Sequence, residues 1–204
     1  MKWLKNLYDW VLKWSESKWG GVALFILAFV EASFFPIPPD VLLIALCLGL
    51  RTKAFRFVFI CSIGSALGAV FGYSIGHFLW WNSNGEFSKF ANFFINIIPG
   101  FSSEIFYNIQ AKYKEWNFWI IFVSGFTPIP FKVFTVSAGA FKINFNLFLL
   151  ASIVSRSARF FLIGGLIWKF GEPIRHFIDK YFNILAILFS IILVGSFFII
   201  KYIL

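Results

Sequence analysis

Five ionisable side chains stand inside stretches that are otherwise apolar: Glu31, Asp40, Lys132, Arg156 and Arg159. If each faced lipid alone it would cost about 2.5–3.5 kcal/mol on an insertion scale, so a chain that carries all five must gather them where they neutralise one another or meet water. Two acids against three bases leave one positive charge over. Arg156 and Arg159 share a helical face with Ser152 and Ser155, a set of donors that suits an oxyanion such as a phosphate. On this reading Lys132, Arg156 and Arg159 bind substrate, while Glu31 and Asp40 compete for them and couple the site to protons. Mutual pairing, Asp40 with Lys132 and Glu31 with an arginine, is the plainer alternative and would only staple the fold.

Other chemistry has less to stand on. Nucleophilic catalysis needs a Ser, Cys or His with a positioned partner, yet the chain has two histidines, His77 and His176, far apart. Ser124-Gly125 lacks the glycine two places earlier that a nucleophile turn carries. Cys47 and Cys61 lie in apolar runs with no neighbouring His, which reads as two buried thiols. Neither an enzyme nor a metal or other cofactor is expected.

The composition says what must hold the five charges. Of 204 residues, 60% are hydrophobic, 23% aromatic and only 13% charged, against roughly 25% charged in a soluble domain. That excludes a water-soluble globule. A net charge of +9 would suggest nucleic acid in a soluble protein, but here the basic residues sit in short connections, as membrane topology requires, so no nucleic-acid partner is expected.

Residues 1–19 alternate apolar and charged positions at three and four, an interfacial amphipathic helix. The first repeat is expected over 20–81. In it, the run from Val22 to Phe35 is broken by Pro36, Pro38 and Pro39, and after Asp40 a second run reaches Leu50. Such legs extend about 21 and 15 Å, against roughly 30 Å of hydrocarbon. A re-entrant hairpin over 22–50 and a full crossing over 57–81 follow. After a polar connecting segment over 82–116, a second repeat over 117–168 has a hairpin over 118–141, broken at Pro128 and Pro130, and a crossing over 145–168. A last crossing is expected over 181–200. Gly64, Gly68, Gly72 and Gly76 recur every fourth residue, a bare stripe for close helix packing.

Pro36-Ile37-Pro38-Pro39-Asp40-Val41 matches Pro128-Ile129-Pro130-Phe131-Lys132-Val133, the charge keeping its place and changing its sign. Each unit crosses once, so the second copy is inverted relative to the first. The fold class expected is an all-α integral membrane protein: an inverted repeat of re-entrant helical hairpin plus transmembrane helix, preceded by an amphipathic helix. The positive-inside bias puts the Arg51, Lys53, Arg56 and Lys169 side in the cytoplasm.

Glu31 to Asp40, reading E-A-S-F-F-P-I-P-P-D, together with F-T-P-I-P-F-K from Phe126 to Lys132, Gly139 and the arginine-bearing helix after it, resembles the DedA family, also called the VTT-domain or SNARE-associated family, and most its YqaA-like branch. Glu31 and Asp40 fit the acidic motif of its first loop. The second loop departs, with Gly125 near the place of one expected arginine and Lys132 replacing the other. The resemblance implies a flippase or scramblase of the bacterial inner membrane, moving a phosphate-bearing lipid such as undecaprenyl phosphate or a phospholipid between leaflets, with proton dependence. A proton-coupled carrier of a small solute or ion, and a membrane protein without transport, remain as alternatives. Association of two chains is left open.

Overall fold

The computed structural model describes residues 19–33, 38–97, 102–127, 130–171 and 173. The helix expected over 1–19 lies outside these apart from its last residue, as does the crossing over 181–200. All helices and no sheet form among the described residues: α1 (Gly20–Ser33), α2 (Asp40–Gly49), a 3-10 turn (Arg51–Lys53), α3 (Ala54–Leu79), α4 (Lys89–Ile97), α5 (Ser103–Phe126), α6 (Phe131–Ala140) and α7 (Phe145–Phe170). Two stretches, Arg51–Leu79 and Phe145–Phe170, are long and apolar enough to cross a membrane.

Proline sets the start of both short helices. Pro39 precedes α2 with φ −71° and Pro130 precedes α6 with φ −58°; neither has an N–H, and a helix start has no intrahelical use for one. Of the turn prolines, Pro38, Pro39 and Pro130 are described, while Pro36 and Pro128 lie outside. One boundary differs from expectation. The leg read as 118–126 is the end of a longer helix that begins in the polar segment at Ser103, where the Ser102 side chain accepts from the Ile105 amide at 3.3 Å. The change from polar to apolar sequence is marked by a kink at Asn117 (φ 21°, ψ −89°) inside that helix.

The glycine stripe of α3 seats both hairpins. A methyl group on Gly64 would stand 2.6 Å from the Phe25 carbonyl oxygen, and one on Gly68 would meet the backbone of Phe29. α1 therefore runs alongside α3 in the same direction, starting near the Ala54 end. Further along, Gly72 lies between Ala32 of α1 and Thr135 of α6, and Gly76 against Val136 and Ala140. Gly139 of α6 returns the contact, facing Tyr73 and the His77 amide. α2 leads back towards the Ala54 end, where Cys47 reaches the Ala54 carbonyl at 3.8 Å, while α6 leads to the Leu79 end. The two hairpins thus come in from opposite ends of α3, and α7 runs antiparallel to α3, its last carbonyls on Trp168 and Lys169 accepting from Arg51 at 2.6 and 2.8 Å.

At the Leu79 end the first half of α5 caps α6. Tyr113 donates to the Phe134 carbonyl at 2.9 Å, Gln110 to Phe141 at 3.1 Å and Trp81 to Ala140 at 2.8 Å. Burial pushes the Tyr113 hydroxyl well above the usual tyrosine range, so it stays a donor at any physiological pH. Tyr113→Phe leaves the Phe134 carbonyl short of that donor and is expected to lower stability by about 1 kcal/mol, read as a fall in thermal midpoint with fold unchanged.

Large apolar side chains face outward. Phe55, Phe59, Ile63, Leu67, Phe71 and Phe78 of α3 are exposed, whereas its buried face holds Gly64, Ser65, Gly68, Ala69, Gly72 and Gly76 together with Phe57, Val58 and Tyr73. Water would be in contact with a stripe of Phe, Ile and Leu about 35 Å long. A glycine-rich packing stripe inside and large apolar side chains outside is an arrangement lipid favours.

Candidate functional site

Four of the five singled-out charges meet where the broken ends of the two hairpins reach the middle of α3 and α7. Glu31 sits two residues before the end of α1. Arg156 reaches it from α7: Arg156 Nη2 donates to Glu31 Oε2 at 2.6 Å, and Nε donates to the Ser65 hydroxyl of α3 at 2.8 Å. The guanidinium also lies against two rings, 5.2 Å from the centre of Phe131 and 4.8 Å from that of Phe160. Burying a charge unpaired costs several kcal/mol, and here the cation has a carboxylate, a hydroxyl and two ring faces.

One helical turn along, Arg159 grips Asp40 with two parallel bonds, Nε to Oδ1 at 3.0 Å and Nη2 to Oδ2 at 2.8 Å, while Nη1 donates to the Thr127 carbonyl at 2.7 Å. Asp40 opens α2, where the positive end of the helix dipole favours a carboxylate. The guanidinium in turn takes up a carbonyl at the broken end of α5. Both pairs are largely enclosed, but unequally: the side chains of Arg156 and Glu31 are 3% and 10% exposed, those of Arg159 and Asp40 15% and 13%.

Lys132 occupies the position of α6 that Asp40 has in α2, half-buried in a first turn that holds no acidic residue. Near it, Thr135 Oγ1 lies 3.0 Å from the carbonyl oxygens of both Ala32 and Lys132. That joins the end of α1 to the start of α6, so the tips of the two hairpins touch. Ser33 adds a bond from its hydroxyl to the Gly68 carbonyl at 3.3 Å.

Sequence reasoning gathered the right charges but paired one differently. The alternative pairing sets Asp40 against Lys132 because the two share a place in the repeat; the side chain that grips Asp40 is Arg159, because the broken end of α5 and the start of α2 converge on the same face of α7. Nor do Ser152 and Ser155 join the arginines as donors. The Ser155 hydroxyl donates to the Ser152 carbonyl of its own helix at 3.2 Å, and the hydroxyl that serves Arg156 is Ser65. The only sequence signal for Ser65 was its place in C-S-I-G-S beside the glycine stripe. Cys47 and Cys61 are free and buried, as read. His77 is half-buried and stacked on Tyr73 with ring centres 5.9 Å apart; His176 lies outside the described residues.

Fold and site together define an all-helical protein with two membrane-length helices and a cluster of paired charges between two interrupted ones. An uncharacterized protein of Haemophilus influenzae is 32% identical over 203 residues, which is 98% of this chain and all of that one. One of Histophilus somni is 34% identical over 184 residues, 88% of this chain and 91% of its own, and one of Methanocaldococcus jannaschii is 26% identical over 142 residues, 69% and 79%. The chain belongs to the family of the Haemophilus and Histophilus proteins. No family model matches it, and no solved structure does.

Proposed function

We propose that the chain is a multi-pass protein of the bacterial cytoplasmic membrane, a DedA-like transporter that carries a phosphate-bearing lipid between leaflets. The observation that carries this reading is the meeting of Glu31, Asp40, Arg156 and Arg159 at the touching tips of two hairpins that arrive from opposite ends of α3. Irregular backbone and ionised side chains are tolerated at membrane depth only where protein or water surrounds them, and hairpin tips opposed in this way are how inverted-repeat transporters build a midplane site. The apolar outward face of α3 supports the lipid setting.

An anionic headgroup enters between the tips and is held by Lys132 and the arginines, while its tails stay in hydrocarbon. The start of α2 already has its carboxylate; the start of α6 has a lysine instead and draws the anion. Protonating Asp40 removes its charge from Arg159 and frees that fork for the headgroup, which couples passage to protons. The completeness of the two ion pairs favours one rival, a protein whose charges only staple the helices.

Transbilayer movement of a fluorescent phospholipid in liposomes separates them. Lys132→Ala is expected to slow movement by about tenfold or more, the loss of one charge-assisted contact. Asp40→Asn should remove dependence on a pH gradient. Rates equal to those of the native protein in both variants would leave only the staple.

A further inference from the structure

The two ion pairs differ in how each guanidinium spends its donors. A carboxylate or a phosphate takes two parallel bonds from the Nε and Nη2 edge of an arginine. Arg159 presents that whole edge to a single partner, Asp40, and is held from behind by its third donor on the Thr127 carbonyl. If Asp40 withdraws, the fork stays aimed at the same place. Arg156 has the same edge divided, Nε on Ser65 of α3 and Nη2 on Glu31 of α1, with Phe131 and Phe160 against the guanidinium. Offering a fork to a ligand would require it to release two helices at once.

We propose that Arg159 is the exchangeable cation, with Asp40 as a built-in stand-in for the phosphate, and that Arg156 never touches the ligand but is a fixed strut positioned by Ser65, Glu31, Phe131 and Phe160. This rests on the phosphate reading above and narrows it to one arginine. Lys132 is then the second contact, from the start of α6. The greater exposure of the Asp40 and Arg159 pair fits an anion that enters and leaves. It also lies beside both proline interruptions, Asp40 just after Pro39 and Thr127 just before Pro128.

Arginine modification by phenylglyoxal, followed by mass spectrometry on the full chain in maltoside micelles, reads each guanidinium separately. Asp40→Asn should speed modification of Arg159 at least tenfold, whereas Glu31→Gln, which keeps an oxygen to accept from Nη2, should in the folded protein change Arg156 less than threefold because that oxygen, Ser65 and the rings still hold it. Dodecyl phosphate should then protect Arg159 in the Asp40→Asn protein and leave the Arg156 rate alone; inorganic phosphate, tried in parallel, tells a lipid site from one for the free anion. Equal unmasking of the two arginines, or protection of Arg156, overturns the division. Absence of protection by either phosphate, with Arg159 still selectively unmasked, counts against the phosphate reading and leaves the strut standing. Should Asp40→Asn fail to fold, Arg159→Lys and Arg156→Lys keep both charges, and dodecyl phosphate binding should weaken at least tenfold in the first alone; equal binding by both overturns the proposal.

Discussion

Glu31→Ala is expected to destabilise the protein by about 3–5 kcal/mol, because it leaves the Arg156 guanidinium buried with no counter-charge. Ser65 and the two rings cannot balance a full charge at 3% exposure. A folded chain in detergent should show this as a large fall in thermal midpoint or as loss of a monodisperse species. The loss is one of imbalance rather than of an attractive contact, so Glu31→Leu combined with Arg156→Met, which replaces the pair by apolar side chains of similar bulk, should recover most of the stability. If the double variant is as unstable as Glu31→Ala, the pair contributes by direct attraction and the desolvation argument fails.

Gly139→Val should be at least as damaging. Even a methyl group at that position meets the Tyr73 backbone and stands 2.7 Å from the His77 nitrogen, and Gly76 faces Val136 and Ala140 in the same way. The neighbours are main chain, which has no rotamer to change, so α6 and α3 must separate. Overpacking of this kind costs about 1–3 kcal/mol where side chains can give and more where they cannot. Gly165 is the internal control: among the described residues nothing lies within 4 Å of a methyl group there, and Gly165→Ala in the interior of α7 should be neutral or stabilise by up to about 1 kcal/mol. Thermal midpoints of the two variants, measured side by side, check the contrast.

Much of this arrangement could be read from the sequence, and for physical reasons. Proline leaves no ambiguity about where a helix starts, so α2 and α6 begin directly after Pro39 and Pro130. A bare stripe every fourth residue can only be a packing face, and Gly64 to Gly76 are one. Charges in apolar runs must converge, and four of them do. What could not be read was partner choice. Asp40 and Lys132 are equivalent in the repeat, but equivalence is a relation between copies and says nothing about which side chains touch; that depends on α7 crossing both hairpin tips. Ser65 looked like one more small residue, because a hydroxyl that serves as acceptor for a distant arginine leaves no local pattern. The boundary expected between 116 and 117 meets a kink at Asn117 inside one helix, since a change of polarity along a helix and a change of element look the same in one sequence.

The opposed entry of the two hairpins underlies every functional step, and labelling from each face of the membrane examines it with the fewest assumptions. Thr52 follows α2 and Asn144 follows α6, both exposed, at the two ends of α3. Single cysteines there, in a background with Cys47 and Cys61 changed to Ala, are to be treated in intact cells and in inverted vesicles with a membrane-impermeant maleimide. Thr52→Cys should react only from the cytoplasmic face and Asn144→Cys only from the outer one. Reaction of both from a single face would mean that the hairpins do not oppose one another across the bilayer, and no lipid headgroup could pass between their tips.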